Sequence, residues 1–375
     1  MRTRLPAAVE PEWIALVDRA APVLLGRDDR TGDALAREVK LVSEIYTRER
    51  AGLHRASVEL AARLRFFLLR DLSKIERPLV ELALPPRQTL RVLDLGAGLG
   101  TTTLGVSRVA HRRGLARRLE VVAVERAARL VDVMTHLCAR AGEIATPIEL
   151  EARELDLERI DPATLGGGFD LVVMGLALNE LFVDAEDPVA ARAAFCERAV
   201  SCLRQDGAMI VLEPALRTTT RALMQVRDRL AREGAVHVLG PCTANGPCPL
   251  LRRERDWCHA DDALALPEPL ASVARGAGLR FEGLSYAYLT LGQRPPASTE
   301  RLRVVGGPIV QKGRTEWHLC RAPDHVRLAV LHRDREETER LASLGRFDRV
   351  LLRPTPAAGD GAVRAGSEAR VEVTG

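Results

Sequence analysis

Between about residues 10 and 83, apolar side chains return at helical spacing. Leu35, Val39, Val42 and Tyr46 form one stripe and Leu60, Leu64, Phe67 and Leu68 another, which predicts helices that each bury one face. Pro85 and Pro86 break that pattern, and the texture then changes. Short apolar runs at Leu90 to Leu95, Leu119 to Val124, Ile148 to Leu155, Leu171 to Met174 and Ala208 to Leu212 alternate with helical stretches. Such alternation predicts an α/β fold, a parallel sheet wrapped by helices. A returning strand is expected from about Leu279 to Leu291, and several short strands from Arg301 to His332, where TEWHLC and VRLAVLH flank RAPDH as a hairpin. From Pro354 the chain is rich in Pro, Ala and Gly and reads as a flexible tail. The expected divisions are a helical N-terminal region (1–85), an α/β core (86–295) with a Cys-rich insert (236–262), a small β-rich extension (296–353) and the tail (354–375).

At 375 residues the chain can bury one large core with smaller additions. No run approaches the ~18 uninterrupted apolar residues of a membrane helix, so no membrane partner is expected. The start, MRTRLPAAVEPEW, lacks the apolar centre of a signal peptide, and Glu10 and Glu12 argue against a transit peptide. The expected location is the cytoplasm, where thiols stay reduced; an odd seven cysteines fits that better than a disulfide framework. Net charge is only +4, but 52 of the 55 basic residues are arginine, leaving Lys40, Lys74 and Lys312. Arginine's planar fork suits phosphate and RNA, and biased codon usage explains the same excess. Oligomeric state is not legible.

The segment RVLDLGAGLGTTTLGVSRVA places an apolar strand ending in Asp94 before Gly96, Gly98, Gly100 and Thr101, with a helix beyond. Alternating glycines let the backbone approach a ligand, and the helix start offers free N–H donors. A dinucleotide site would show G-x-G-x-x-G; the spacing here is G-x-G-x-G. That spacing resembles motif I of the class I S-adenosylmethionine methyltransferases. The next strand ends at Glu125, whose carboxylate can accept from both ribose hydroxyls. Asp156 stands where that family often meets the adenine amine, and a surface acid is the simpler reading. Asn179-Glu180-Leu181 does not match the Asn- or Asp-Pro-Pro-aromatic signature of enzymes that methylate exocyclic nitrogens. The pair Asn179 and Glu180 could orient a substrate or cap the next helix, and no catalytic base is identifiable.

GPCTANGPCPLLRRERDWCHAD gathers Cys242, Cys248 and Cys258 in a Pro/Gly/Asn loop, whereas Cys138, Cys196 and Cys202 sit in helix-like sequence as ordinary buried thiols. Thiolates repel one another and collect where a metal compensates them. A Pro-Cys nucleophile of RNA cytosine-5 methyltransferase type would instead follow a core strand directly. The spacing C-x5-C-x9-C, with His259 adjacent and Cys320 further on, lacks the close pairs zinc favours but leaves iron–sulfur and zinc both open.

Taken together, VLDLGAGLG and the PC…CPL…DWCH insert resemble the methyltransferase-like proteins of the mitochondrial small ribosomal subunit and their bacterial relatives. The likeness continues through EPALRTTTRALMQVRDRL, LSYAYLTL and RLRVVGGPIVQKGRTEWHLC, and covers about residues 55 to 350. It implies a Rossmann-like class I methyltransferase sheet, a role in small-subunit assembly and translation with binding to its rRNA, and a 4Fe–4S cluster on Cys242, Cys248, Cys258 and Cys320. Relatives commonly carry His and Phe where this chain has Thr243 and Ala260. Methyl transfer itself is not assured in the family, so a non-catalytic assembly factor is the rival reading, with a zinc-bearing small-molecule methyltransferase third. Arg252, Arg253 and Arg255 are candidates for phosphate contacts or simply a solvated face.

Overall fold

The computed structural model describes residues 7–48, 59–353 and 362–374. A two-residue strand β1 (Ala7–Ala8) precedes α1 (Pro11–Leu25) and α2 (Gly32–Arg48), the latter bearing the Leu35/Val39/Val42 stripe, which is buried. A helical run then passes from α3 (Leu60–Ala62) through a π-helical stretch (Arg63–Leu68), α4 (Leu69–Asp71) and a 3-10 turn (Leu72–Ile75) to α5 (Glu76–Leu82). It stops at Ala83, which is left-handed at φ 49, just before the two prolines.

Next come β2 (Arg87–Leu95), α6 (Thr101–Arg113), β3 (Ala116–Glu125), α7 (Ala128–Ala141), β4 (Ile148–Glu154), β5 (Phe169–Gly175), α8 (Pro188–Ser201), β6 (Leu203–Pro214) and α9 (Arg217–Glu233). After β7 (His237–Gly240) and β8 (Ala260–Ala265), α10 (Glu268–Gly276) leads to β9 (Gly283–Gly292). Their sheet runs β1-β8-β9-β6-β5-β2-β3-β4, with β7 also on β9; β2 to β6 pair in parallel and β9 lies antiparallel to β6. The parallel strands are those expected from the apolar runs, and their order is doubly wound. Burial tracks position: central β5 is covered along nearly its whole length, whereas edge strand β4 only alternates between half-buried and exposed. Because β2 is flanked by β3 on one side and β5 on the other, connections diverge there and leave a crevice at the carboxyl ends of the strands.

The second sheet holds β10 (Leu302–Val304), β11 (Ile309–Gln311), β12 (Arg314–Arg321), β13 (Asp324–Leu331), β14 (Arg349–Arg353), β15 (Ala362–Arg364) and β16 (Arg370–Thr374), with α11 (Arg335–Leu341) between β13 and β14. The TEWHLC/VRLAVLH hairpin is present as β12 and β13, with Cys320 opposite His325. Two expectations change. First, the segment read as a flexible tail supplies two strands: residues 354–361 and 375 lie outside the described part, but β15 pairs with β13 and β16 with β14. The alternation Val371-Glu372-Val373 puts a branched apolar side chain on the core face, where Val371 is buried. Second, the Cys-rich insert is bounded by β7 and β8, two strands of the main sheet that both pair with β9. The outer residues of the expected 236–262 insert are thus strands of that sheet, and the connecting segment is residues 241–259.

Arg303 of β10 joins the two sheets. It is 4% exposed and donates to the Pro241 carbonyl at 2.9 Å, to the Phe347 carbonyl at 2.7 Å and to both oxygens of Glu81 on α5 at 2.8 and 3.0 Å. Glu81 also accepts from the Tyr288 hydroxyl. Burial pushes the Glu81 carboxyl up, but Arg303 and that hydroxyl outweigh it and hold the group below the usual range. Among the described residues, no helix is long and apolar enough to cross a membrane.

Candidate functional site

The crevice beside β2 contains a cavity of about 360 Å³. Gly96, Gly98 and Thr101 line it from the glycine loop, Glu125 from the end of β3, and Asp156 from the loop after β4. Glu125 is already organised: it accepts from the Gly98 N–H and the Ala127 N–H, both at 3.0 Å, which ties the carboxylate across the loop. Asp156 accepts from the Glu158 N–H at 3.0 Å and faces Arg159 at 3.4 Å.

Two expected cofactor residues act one step back. Asp94 does not line the cavity; it is fully buried, accepts from the Thr103 hydroxyl at 2.6 Å and so pins the first turn of α6 to the end of β2. Gly100 does not line it either and packs on α7, where an added Cβ would stand 2.8 Å from the Met134 side chain. Gly96, at φ +77, would bring a Cβ to 2.7 Å from the Ala177 Cβ. Around Gly98, at φ +56, there is open space.

The opposite wall comes from segments that the motif reading did not connect with the site. Tyr46 of α2, Arg63, Phe67 and Leu68 of the π-helical stretch, and Asp71 and Lys74 all line the cavity. Phe67, Asp71 and Lys74 belong in turn to the π-helical, α-helical and 3-10 parts of this run, yet all three reach the cavity. The usable signal was Lys74, one of three lysines in an arginine-rich chain. From β5 the chain enters a strained turn, with Leu176 at φ 61 and Phe182 at φ 56. The Asn179 N–H donates to Glu213 at 2.9 Å, and Arg192 donates to the carbonyls of Asn179 and Leu181. Asn179 and Glu180 do not cap α8, which is capped by Asp187 through the Ala190 N–H.

Three carboxyls here titrate high. Burial raises Asp94 to about 7; burial raises Glu180 to about 7 against the pull of Arg63 and Arg126; and burial raises Glu213 to about 8. Each binds its proton more tightly folded than unfolded, so stability falls as pH rises from the unfolded carboxyl range to about 8. We therefore expect the melting temperature to drop between pH 6.5 and 8, and Asp94→Asn to make the drop shallower. A melting temperature that rises across that window would contradict it.

In the insert, Cys248 and Cys320 are buried in one apolar cluster with Met224, Leu250 and Val305, and Cys258 packs against it. All seven cysteines are free. Cys242 lies close to the other three proposed ligands: burial raises Cys248, to about 11, and also Cys258 and Cys320, and the charge of Cys242 is the next cause in each case. The four thiols are thus neighbours drawn from both the insert and β12. Among the described residues, however, no group of three or more His, Cys, Asp or Glu side chains stands where it could hold a metal ion. His259 is not drawn in; it stacks on Trp257 and meets Arg346 and Asp261.

Hydrogen bonds fasten the loop. Arg221 of α9 donates to the carbonyls of Arg253 and Asp256 at 2.8 Å, Arg227 to those of Ala244 and Gly246, and Asp228 accepts from the Cys248 N–H. At Gly246 a Cβ would lie 2.7 Å from Pro323, so only glycine lets the loop touch the β12–β13 turn. Arg252 donates to the Pro323 carbonyl at 3.2 Å, while Arg253 and Arg255 are exposed.

Comparison with known proteins adds the following. No curated protein matches the sequence. Among solved structures, a putative class I S-adenosylmethionine-dependent methyltransferase from Listeria monocytogenes is 13% identical, covering 77% of this chain and 90% of that one at a TM-score of 0.37. The magnesium protoporphyrin IX methyltransferase of Synechocystis, solved with S-adenosylmethionine bound, is 12% identical, covering 68% and 97% at 0.34. Likenesses this distant carry no argument, and the topology stands on the strand pairings. The decisive match is to the family model described as mitochondrial small ribosomal subunit Rsm22, over residues 73–343. That span runs from the 3-10 turn through the glycine loop, the insert and β12 to α11, so the chain belongs to the Rsm22 family of the mitochondrial small ribosomal subunit.

Proposed function

We propose that this protein binds S-adenosylmethionine in the crevice beside β2 and acts on or with the small ribosomal subunit, in contact with its rRNA. The observation that supports the cofactor most directly is Glu125, held at the end of β3 by the Gly98 and Ala127 N–H groups inside the cavity. A carboxylate fixed there suits two ribose hydroxyls, Asp156 suits an exocyclic amine, and the glycine loop leaves room for a nucleoside. The cofactor supplies a methyl group on a sulfonium. The chain's part is to orient it and exclude water, for which an apolar wall of Phe67, Leu68 and Leu130 is in place.

A rival reading, an assembly factor that binds the cofactor without transferring methyl, is favoured by one feature. The Asn179 N–H and carbonyl are both used internally, by Glu213 and Arg192, which commits the turn's backbone to holding itself, although Asn179 Oδ1 and Glu213 Oε2 stay unpaired. Calorimetry with S-adenosylhomocysteine, followed by transfer of labelled methyl to immature small subunits, separates the cases. Binding with transfer supports the enzyme, binding without transfer the assembly factor, and no binding removes the cofactor from both.

For the insert we propose a 4Fe–4S cluster on Cys242, Cys248, Cys258 and Cys320, with zinc as the alternative. What supports it is donor chemistry: Cys248, Cys258 and Cys320 share one apolar cluster, Cys242 lies near enough to act on all three, and thiolates from two distant segments gain from a shared cation. Anaerobically purified protein should be brown and contain iron and sulfide, and Cys320→Ser should bleach it. Zinc without sulfide would overturn the cluster. Arg253 and Arg255, exposed on the same loop, are the proposed phosphate contacts.

A further inference from the structure

We infer that Asp71 and Lys74 clamp the zwitterionic amino-acid arm of the cofactor, Lys74 taking its α-carboxylate and Asp71 its α-ammonium. This rests on the cofactor reading above. Both side chains line the cavity, are 9% and 8% exposed, and face each other with Nζ 2.8 Å from Oδ2. The pair is incomplete. Asp71 Oδ1 is buried and accepts no hydrogen bond, the Arg70 guanidinium standing 3.7 Å from it. A buried ion pair is stabilising only when its remaining donors and acceptors are filled, and a zwitterion carries the matching charge for each partner.

Position agrees with charge. The turn Leu72–Ile75 abuts α6: a Cβ at Gly105 would lie 2.7 Å from both Ile75 Cγ2 and the Leu72 carbonyl. Asp71 and Lys74 therefore stand beside the helix whose first residues, Thr101 and Thr102, also line the cavity, and whose free N–H groups favour a carboxylate. Glu125 and Asp156 belong to the ends of β3 and β4, on the other side of β2 from β5. The nucleoside would be held there, and the amino-acid arm beside α6.

5′-Methylthioadenosine shares the nucleoside but lacks the amino-acid arm, so it reports on one end alone. With the full chain in calorimetry, S-adenosylhomocysteine should bind at least ~10-fold more tightly than methylthioadenosine, as charge-assisted hydrogen bonds imply. Lys74→Met and Asp71→Asn should each remove most of that preference and leave methylthioadenosine affinity within about twofold. Retained methylthioadenosine binding also shows that the variants are folded. If both variants keep the wild-type preference, or lose both ligands equally, the clamp is wrong while the nucleoside site stands. If the wild type binds neither ligand, the cofactor reading fails and the clamp goes with it.

Discussion

Gly98→Arg should abolish cofactor binding, by about 100-fold or more, with little loss of fold, because it fills the cavity without striking anything behind it. Space around Gly98 is open, whereas the same substitution at Gly96 would drive a side chain into Ala177 and at Gly100 into Met134. The cost to folding is that of a left-handed residue at φ +56, on the order of 1 kcal/mol. The Gly98 N–H that Glu125 accepts is retained, so the loop itself should persist. Calorimetry with S-adenosylhomocysteine and a thermal melt together check this. Wild-type affinity in the variant would place the ligand elsewhere, and a collapsed melt would mean the loop is structural first. If the variant binds no cofactor yet still supports small-subunit assembly, the enzyme reading fails.

Arg303→Ala should be strongly destabilising, by roughly 3–5 kcal/mol, since it strands one half of a buried pair. Glu81 would lose both guanidinium bonds, and the carbonyls of Pro241 and Phe347 would lose their donor at the same time. Those partners lie on α5, at the mouth of the Cys-rich loop and next to β14, so the damage would reach both sheets. Arg303→Met with Glu81→Gln should recover part of the loss, because the unpaired charge is removed along with its partner. Denaturant titration of the single and double variants reads the effect. A single variant within about 0.5 kcal/mol of wild type would show that the junction is solvated. A pH series adds a second check: Glu81 is held low in the folded state, so its contribution is present above the ordinary carboxyl range and is lost as pH falls through its depressed folded value.

How much of this was legible beforehand depended on the range of the interaction. Apolar period, the glycine spacing and the acid after the next strand are local patterns, and they located the strands, the loop and Glu125 correctly in one dimension. Asp94 shows the limit. A strand-end acid before a glycine loop reads as a ligand contact, yet its burial beneath α6 makes it a fastener for Thr103. The tail shows another: Pro, Ala and Gly dominate its composition, but two valines in alternation suffice for a strand once β14 offers an edge.

By itself, then, the sequence determined the five parallel strands β2 to β6, the α/β class and the crevice's near wall, because each rests on neighbours within one strand, loop or turn. Tertiary structure alone decided the far wall, where Lys74 and Asp71 meet the cavity some twenty residues before the loop they face. It also decided the junction at Arg303, whereas the grouping of Cys320 with the three insert thiols was implied beforehand only by the family resemblance and not by the residues' spacing. Those arrangements depend on which faces of distant segments are buried together, and a buried charge finds its partner only after the chain has folded around it.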